Sequence, residues 1–358
     1  MKAAVYYGKK DIRIENIKEP EIRPGWVKVK VKWCGICGSD LHEYIAGPIT
    51  IPTEKPHPSS GNMAPLVMGH EFAGEVVEVG TGVTKVKAGD KATGELMVPC
   101  GKCPACKNGD YNICESLALH GYPDGGAGFS EYLILPENRI YKLPDSMSYE
   151  MGALIEPMSV AVHSLNSGGF KVGQSAVVFG AGPIGLATIE CLKVCGARMV
   201  IAVQLKSIRS EYALRAGADI VLDPTEIDIA SEVYKLTGNL GADISFETTG
   251  TNICYEAALN VLKYHGTMVV TSIWETDTVY NSNLLVFRER RTVGTLCYCN
   301  DFNTTIALMA DGRIKMEGYV TKKICLDDIE KEGFGTLTGA DKLSHLKILV
   351  TPDASLLL

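Results

Sequence analysis

Four cysteines with short spacings form the most specific local pattern in the chain. Cys100, Cys103, Cys106 and Cys114 follow the pattern C-x2-C-x2-C-x7-C. Such spacings allow one chain segment to surround a tetrahedral Zn²⁺ ion with Zn–S distances of about 2.3 Å. Because four thiolates leave no coordination position open, the pattern predicts a structural zinc site. Two alternatives remain: unrelated thiols in an exposed loop, or a zinc ribbon for nucleic acid, which normally comes with a basic surface.

A second set of possible metal ligands is dispersed along the chain. Cys37, His70 and Glu156 stand in the segments 34–42 (CGICGSDLH), 69–71 (GHE) and 155–157 (IEP). One thiolate, one imidazole and one carboxylate could hold zinc and leave a fourth position free for substrate. Each residue also has an ordinary interpretation: a packed cysteine, a hydrogen-bonded histidine, and a Glu-Pro pair at the start of a helix.

A glycine-rich segment, VVFGAGPIG at 177–185, has the order strand, G-x-G-x-x-G and helix. The first glycine permits a tight turn, the second a close approach to a pyrophosphate and the third close helix packing. Amide groups at the helix N-terminus then bind the phosphates. The segment therefore predicts a dinucleotide site with Gly180, Gly182, Ile184 and Gly185 as cofactor-binding residues.

The residues after the second strand bear on which dinucleotide binds. An acidic residue there would bind the adenosine ribose of NAD, but the strand 199–203 is followed by Gln204. Without that carboxylate a 2′-phosphate meets no repulsion, and Lys206, Ser207 and Arg209 could donate charge-assisted hydrogen bonds to it. We therefore predict a preference for NADP(H) over NAD(H). In the alternative, Gln204 binds the diol of NAD and the basic residues are solvated.

The elements that must position these residues follow two different patterns. Up to about residue 150, short β-type runs such as 27–31 and 75–80 alternate and predict half-exposed antiparallel strands. From about 175, apolar strand candidates recur with helix-compatible segments such as 184–195 between them, which predicts a doubly wound six-stranded parallel sheet. The strand candidates are 176–179, 199–203, 220–222, 244–246, 268–271 and 292–294.

Two further segments complete the organisation. After about 295, a helix candidate at 303–312 and strand candidates at 320–324 and 347–350 could return to the first domain. The segment 47–65 contains five prolines and little that could pair or pack. Because long loops without regular structure are usually functional or disordered, and this one lies between two candidate metal ligands, we predict an active-site rim.

Composition excludes several classes of protein. The 358 residues include 22% charged and 46% hydrophobic residues, which is ordinary for a globular protein and excludes a disordered or fibrous chain. A net charge of −7 argues against nucleic acid and membrane surfaces as partners. The N-terminal residues contain no signal-peptide pattern, so we expect a cytoplasmic protein whose twelve cysteines are metal ligands or free thiols.

In this order the motifs resemble the zinc-dependent medium-chain alcohol dehydrogenase family over essentially the whole chain. The resemblance implies an α/β protein with a mainly β, GroES-like catalytic domain at 1–155 and 296–358, a zinc lobe at 95–115 and a Rossmann domain at 156–295. The segments 32–44, 128–132 and 155–163, the proline-rich loop and 272–275 look most like the branch acting on acetoin and 2,3-butanediol. Sorbitol and threonine dehydrogenases share much of this set.

The resemblance also implies roles for the site residues. Cys37, His70 and Glu156 match the catalytic zinc ligands, and the four-cysteine lobe matches the structural zinc, giving two zinc ions per chain. Glu71 would lie beside the metal as a neighbouring or exchanging carboxylate, and Asp40 would orient His70.

Ser39 and His42 match the family's proton relay. Two residues depart from the family pattern. Gln204 replaces the usual acidic residue after the second strand, and Cys299 stands where relatives often carry Arg.

The expected reaction is reversible hydride transfer between NADP(H) or NAD(H) and a small vicinal hydroxyketone or diol, with acetoin and 2,3-butanediol first. A polyol or threonine dehydrogenase with the same site is the nearest alternative. A non-catalytic dinucleotide-binding or zinc-scaffold protein is the alternative from another class, and intact relay residues argue against it. The family implies a homodimer or homotetramer.

Overall fold

The computed structural model describes residues 1–274 and 276–357, so Glu275, the last residue of the segment 272–275, lies outside the described residues. The chain divides into two compact units. The first comprises Met1–Glu156, Phe302–Ala310 and Val320–Leu358, and the second comprises Pro157–Asp301 and Asp311–Tyr319. The domain bounds given above stay a prediction, and the units differ from them at Glu156, 296–301 and 311–319.

The described strands are β1 (Lys2–Gly8), β2 (Asp11–Asn16), β3 (Trp26–Gly35), β4 (Leu66–Val67), β5 (Glu71–Val79), β6 (Lys91–Gly94), β7 (Tyr132–Pro136), β8 (Ile140–Lys142), β9 (Ser175–Phe179), β10 (Met199–Val203), β11 (Ile220–Leu222), β12 (Ala242–Glu247), β13 (Leu262–Val270), β14 (Arg291–Gly294), β15 (Val320–Cys325) and β16 (Lys347–Thr351). The described α-helices are α1 (Gly38–Ala46), α2 (Pro104–Asn108), α3 (Tyr149–Ala153), α4 (Ile155–Ser167), α5 (Pro183–Val194), α6 (Ile208–Arg215), α7 (Ile229–Leu236), α8 (Asn252–Asn260), α9 (Asn283–Val286), α10 (Phe302–Ala310) and α11 (Thr336–Thr338).

The first unit is mainly β, as predicted. Its larger sheet has the order β15-β16-β3-β5-β6-β8 with β7 also paired to β3, and a smaller sheet has the order β2-β1-β4. The antiparallel pairing of β3 with β5 and β7 confirms the predicted direction, but β3 is more buried than its alternating pattern predicts. Even Lys28 is buried, because its ammonium group binds Glu19 and lies over the Tyr132 ring.

The C-terminal segment returns to this unit. Strand β16 pairs antiparallel with β3 through Leu349↔Gly35 and Val350↔Cys34, and parallel with β15. All five residues of β16 are buried, including Lys347. The last strand therefore forms part of the core of the unit that contains the N-terminus.

The second unit contains the predicted six-stranded parallel sheet. Among the described residues its order is β11-β10-β9-β12-β13-β14, and every pairing is parallel. Numbered from β9, this is the order 3-2-1-4-5-6 of a Rossmann fold, so the predicted fold class is confirmed. The strands 199–203 and 220–222 have the predicted bounds, whereas β13 begins at Leu262, six residues before the predicted start.

The proline-rich segment 47–65 packs better than its composition predicts. Ile51 and Ser60 are buried, and the Asn62 side chain donates hydrogen bonds of 2.8 and 2.9 Å to the carbonyl oxygens of His120 and Gly121. Side-chain hydrogen bonds therefore replace the strand pairing that this segment lacks. In the described part of the chain, no helix combines the length and the apolar character needed to cross a membrane.

Candidate active site

Three candidate metal donors come together because β3 and β5 are antiparallel neighbours. Cys37 is the N-cap residue of α1, two residues after the end of β3. His70 immediately precedes β5, whose first residue, Glu71, lies opposite Gly35. The Cys37 sulfur, a His70 ring nitrogen and a Glu71 carboxylate oxygen all lie within 4.8 Å of one another. A soft sulfur, an imidazole and a carboxylate are a donor set that suits zinc.

Each ring nitrogen of His70 has one polar side chain nearby. The nearest Asp40 oxygen lies 3.7 Å from His70 Nδ1, while the other Asp40 oxygen accepts a hydrogen bond of 2.9 Å from the Cys37 backbone N–H. Ser39 Oγ lies 3.5 Å from His70 Nε2. At this distance Asp40 makes no hydrogen bond to the ring, and among the described residues both His70 Nδ1 and the facing Asp40 oxygen are buried without a hydrogen-bond partner.

Glu156 is buried, and its carboxylate interacts electrostatically with His70, Cys37 and Glu71. It is not one of the donor groups whose atoms lie within 4.8 Å of one another. Burial raises the pKa of Glu156 to about 8, and the nearby His70 acts in the opposite direction. Burial likewise raises the pKa of the Cys37 thiol to about 12. For His70, burial is outweighed by Asp40, Glu156 and Glu71, which raise its pKa. A buried group of acidic side chains such as this fits a site in which a bound cation compensates the negative charge.

One buried lysine faces this acidic group. Lys347 Nζ donates hydrogen bonds of 2.6 Å to Glu71 Oε1 and 3.1 Å to the carbonyl oxygen of Ile36, and the side chains of Lys347 and Glu71 are at most 3% exposed. The other Glu71 oxygen is buried without a hydrogen-bond partner. Gly35 makes room for it, because a Cβ at Gly35 would lie 2.0 Å from Glu71 Oε2. Lys347 was not among the residues predicted from the sequence, where a lysine at the start of an otherwise apolar strand was the available signal.

A hydrogen-bonded chain that the sequence did not predict lies in the same unit. His120 Nε2 is 2.9 Å from Thr50 Oγ1, which donates a 2.7 Å hydrogen bond to Glu43 Oε1. Glu43 is buried and also accepts hydrogen bonds from the backbone N–H groups of Ile49 and Ile51. Burial lowers the pKa of His120 to about 4, so the ring stays neutral. The charge of His70 acts in the same direction, which indicates that the chain lies close to the candidate metal site.

The four-cysteine lobe has the geometry of a closed metal site. The sulfurs of Cys100, Cys103, Cys106 and Cys114 lie within 4.8 Å of one another. Backbone N–H groups point at these sulfurs: two at Cys100, at 3.3 and 3.5 Å, and two at Cys114, at 3.2 and 3.3 Å. The two N–H groups at Cys100 lower its pKa to about 6, which favours the thiolate that binds metal. The lobe therefore fits a structural zinc ion.

The glycine loop of the second unit has the geometry that the sequence predicts. It follows β9, and Gly182 is the N-cap of α5. Gly180 has a φ of +93°, and a Cβ at Gly185 would lie 1.9 Å from the carbonyl oxygen of Gly180. At Gly182, by contrast, the nearest atom to an added Cβ is Arg209 Nη1 at 3.9 Å. The loop thus keeps free space at the glycine that must approach a pyrophosphate, as a dinucleotide requires. Ile184, in the first turn of α5, is half-buried.

Two of the candidate 2′-phosphate residues, Gln204 and Arg209, lie beside this loop. Gln204 Oε1 accepts a 2.8 Å hydrogen bond from the Ala181 backbone N–H, so its side chain contacts the loop itself. Ser207 is the N-cap of α6, and Lys206 is exposed just before it. Burial lowers the pKa of Arg209, whose guanidinium lies near Gly182.

His42 and Cys299 are the two remaining residues that the sequence singles out. His42 is half-buried in α1, one turn after Ser39. Cys299 is half-buried in the second unit, where its backbone N–H donates a 2.8 Å hydrogen bond to Asp301.

Known protein families match segments of both units. The family model "Alcohol dehydrogenase GroES-like domain" matches residues 23–145, and "Zinc-binding dehydrogenase" matches residues 183–311. The chain is 46% identical to (R,R)-butanediol dehydrogenase of Bacillus subtilis, with 99% of this chain and 100% of that protein covered. It is 32% identical to sorbitol dehydrogenase of the same organism, with 99% and 98% covered.

Solved structures of known proteins have the same fold over nearly the whole chain. The crystal structure of 2R,3R-butanediol dehydrogenase from Bacillus subtilis has a TM-score of 0.92 at 46% identity and covers 98% of this chain and 99% of that one. A zinc-binding dehydrogenase from Sinorhizobium meliloti bound to NADP has a TM-score of 0.87 at 27% identity and covers 98% and 99%. The chain therefore belongs to the zinc-dependent medium-chain alcohol dehydrogenases, enzymes that act on CH–OH groups with zinc and a nicotinamide cofactor.

Proposed function

We propose that the protein catalyses the reversible reduction of acetoin to 2,3-butanediol with NADP(H). The observation that carries this proposal is the cluster of Cys37, His70 and Glu71 in a chain that is 46% identical to an (R,R)-butanediol dehydrogenase over nearly its whole length. The substrate is a small vicinal hydroxyketone or diol.

We propose Cys37, His70 and Glu156 as ligands of a catalytic zinc, with Glu71 as the neighbouring carboxylate. The four lobe cysteines would hold a second, structural ion. When bound, the catalytic zinc supplies a Lewis acid for the carbonyl oxygen and the nicotinamide supplies the hydride. Asp40 orients His70, and Lys347 holds one oxygen of Glu71 by its 2.6 Å ion pair.

The proton of the new hydroxyl group needs a route through this chain. Ser39 lies 3.5 Å from His70 Nε2, and His42 follows it by three residues on α1, so the two side chains are neighbours on one helix face. We propose that the Ser39 hydroxyl donates this proton and that His42 supplies it from the solvent side.

We propose that NADP(H) is preferred over NAD(H). Gln204 follows β10 where an acid would repel a 2′-phosphate. The positive charges of Lys206 and Arg209 and the Ser207 hydroxyl favour the phosphate. If NAD(H) is preferred instead, these basic residues have no part in cofactor choice.

A polyol dehydrogenase activity is the second candidate, supported by the 32% identity to sorbitol dehydrogenase. Comparing acetoin, fructose and threonine as substrates in one assay separates the candidates.

We also propose that the enzyme is a homodimer or homotetramer. Strand β14 pairs only with β13 among the described residues, which leaves an open sheet edge that a second copy could cover. Light scattering coupled to size-exclusion chromatography measures the state directly, and a monomer at micromolar concentration contradicts this proposal.

The experiment that tests the function is the initial rate of acetoin reduction with NADPH and with NADH, before and after zinc removal. We expect zinc-dependent rates and a preference for NADPH. Cys37→Ser and His70→Ala should lower kcat by about 1,000-fold or more, because several kcal/mol of Lewis-acid stabilisation are lost. Cofactor binding, followed by NADPH fluorescence, should survive.

Cys325→Ser is the matched control, since Cys325 is a half-buried cysteine of the same unit that lies outside both metal groups. It should keep the wild-type rate. Wild-type activity in zinc-free Cys37→Ser protein contradicts the ligand assignment, and a failure of both cofactors to reduce acetoin contradicts the substrate.

A further inference from the structure

A pocket in the second unit lies away from the cofactor loop. It has a volume of about 280 Å³ and is bordered by α7, the end of α8, and α9. Asn260 ends α8 just before β13 begins at Leu262, so the pocket lies at the edge where the parallel strands start. The glycine loop follows the carboxyl end of β9 and therefore lies at the opposite edge of the same sheet. The pocket is distinct from the dinucleotide site.

Arg290 lines this pocket and is only 9% exposed. Its Nη1 atom donates a 3.2 Å hydrogen bond to the carbonyl oxygen of Leu284, and its Nη2 atom donates to the hydroxyl of Tyr234 at 3.2 Å and to the carbonyl oxygen of Leu262. Its Nε atom is buried without a hydrogen-bond partner. Burial lowers the pKa of Arg290, and the charge of Arg288 acts in the same direction. A buried cation with only neutral acceptors is costly unless an anion compensates it.

Arg288 adds a second positive charge to the same pocket. Its Nη1 atom donates a 2.7 Å hydrogen bond to the Tyr234 hydroxyl, and its guanidinium lies over the rings of Tyr234 and Tyr264 at 5.4 and 4.9 Å. Among the described residues, neither arginine forms an ion pair with a carboxylate. The neighbouring Glu289 pairs with His265 instead.

The rest of the lining suits a small organic anion. The side-chain amides of Asn260 and Asn283 can donate hydrogen bonds, while Leu284 and Phe287 offer apolar contact. The volume exceeds that of an inorganic oxyanion alone. Guanidinium groups match the planar or tetrahedral oxygens of carboxylate and phosphate groups.

We propose that this pocket is an anion-binding site, in which Arg288 and Arg290 bind the carboxylate or phosphate group of a small organic molecule. The site is separate from the proposed reaction and does not depend on it. Carboxylate and phosphate groups both present oxyanions to the two arginines. A carboxylate probe and a phosphate probe distinguish between them.

Isothermal titration calorimetry of the zinc-loaded enzyme with inorganic phosphate and with succinate tests this proposal. The cofactor is kept at saturation so that neither probe enters the dinucleotide site, and the ionic strength is constant. We expect saturable binding of at least one probe, and the stronger probe identifies a phosphate or a carboxylate ligand. Arg288→Gln should weaken the binding by about 10-fold or more, since one charge-assisted contact is lost.

Arg198→Gln is the control, because Arg198 is an exposed arginine just before β10 at the same edge of the sheet. It should leave the affinity unchanged. Equal affinities of the wild-type and Arg288→Gln proteins overturn the proposal, as does the absence of saturable binding of both probes. A change of oligomeric state in Arg288→Gln without anion binding also overturns it, since a second copy then fills the pocket.

Discussion

At the scale of single residues, the ion pair between Lys347 and Glu71 is the clearest feature to test. Replacing Lys347 by Met leaves the Glu71 carboxylate buried without its cation. Because an uncompensated buried charge is strongly destabilising, Lys347→Met should lower the free energy of unfolding by about 3–5 kcal/mol. Urea denaturation of the zinc-free enzyme measures this change, since a zinc ion beside Glu71 would compensate its charge. The double variant Glu71→Gln/Lys347→Met should recover part of the loss.

The neighbouring strand offers a matched control for this experiment. Lys323 on β15 forms an ion pair of 2.7 Å with Glu150, but the two side chains are 40% and 36% exposed. Surface pairs contribute about 0–1 kcal/mol, so Lys323→Met should have a correspondingly small effect. If Lys347→Met and Lys323→Met lose equal free energies of unfolding, burial does not strengthen the interaction of Lys347 with Glu71.

Sequence separation explains which residues could be predicted. The glycine loop and the four-cysteine lobe are local patterns, so their residue types and spacings are visible in the sequence. Lys347 and Glu71 are 276 residues apart, and Thr50 and His120 are 70 apart. Contacts of this kind depend on the pairing of β16 with β3 and on the path of a loop, which no local pattern specifies.

At the scale of elements, Glu43 on α1 holds the start of the segment 47–65. Glu43→Ala removes the acceptor of the Ile49 and Ile51 amides, and hydrogen bonds to charged groups contribute about 1.5–3 kcal/mol. Hydrogen exchange of these amides should become about 10- to 100-fold faster. Glu54→Ala, an exposed glutamate of the same segment, should leave their exchange unchanged. Unaltered exchange in Glu43→Ala contradicts this anchoring role.

In the parallel sheet, Asp243 joins the starts of β9 and β12. Its carboxylate accepts hydrogen bonds of 2.8 Å from the backbone N–H and the hydroxyl of Ser175, and it binds Lys263. Although burial opposes ionisation, Lys263 and Ser175 lower the pKa of Asp243 below its usual value of 3.8. A carboxylate with a lowered folded-state pKa stabilises the fold above its unfolded-state pKa and loses that effect as the pH falls through the folded-state value.

Asp243→Asn should therefore destabilise the protein by about 1–3 kcal/mol at pH 7. The difference from wild type should persist down to about pH 4 and shrink below it. Urea denaturation across this pH range measures the difference. Asp311→Asn, which affects an exposed ion pair with Arg313 in the same unit, should cost less than about 1 kcal/mol at any pH. A difference that grows towards acid pH contradicts the assigned role of Asp243.

The inner parallel strands were predictable because strands buried on both faces read as continuous apolar runs, as 199–203 does. Strand β3 was less predictable, since its alternating Val and Lys residues indicate one solvent face. The ion pair with Glu19 and the Tyr132 ring cover that face at Lys28, while Lys30 and Lys32 stay half-buried. This shielding from solvent arises from tertiary packing, so the periodicity of the sequence does not show it.

At the scale of the whole molecule, the two metal sites should contribute differently to stability. The lobe helix α2 contains no buried residue, so the segment between Cys103 and Cys114 that this helix occupies has little apolar packing of its own. Cys37 and His70 lie instead on elements fixed by the β3–β5 pairing. The free energy of metal binding is folding free energy where no other packing supports a segment. Zinc in the lobe should therefore stabilise the fold, whereas zinc at Cys37 should chiefly support turnover.

Counting zinc with a colorimetric chelator should give two ions per wild-type chain and about one in each of Cys106→Ser and Cys37→Ser. We expect Cys106→Ser to lower the Tm by about 5 °C or more, because several kcal/mol of binding energy are lost from folding. Cys37→Ser should change the Tm by less than about 2 °C while abolishing turnover. If Cys37→Ser causes the larger fall in Tm, the catalytic site carries the stability and the division of roles is reversed. One zinc per wild-type chain contradicts the presence of two sites, and the variant that then retains no zinc identifies the site that binds it.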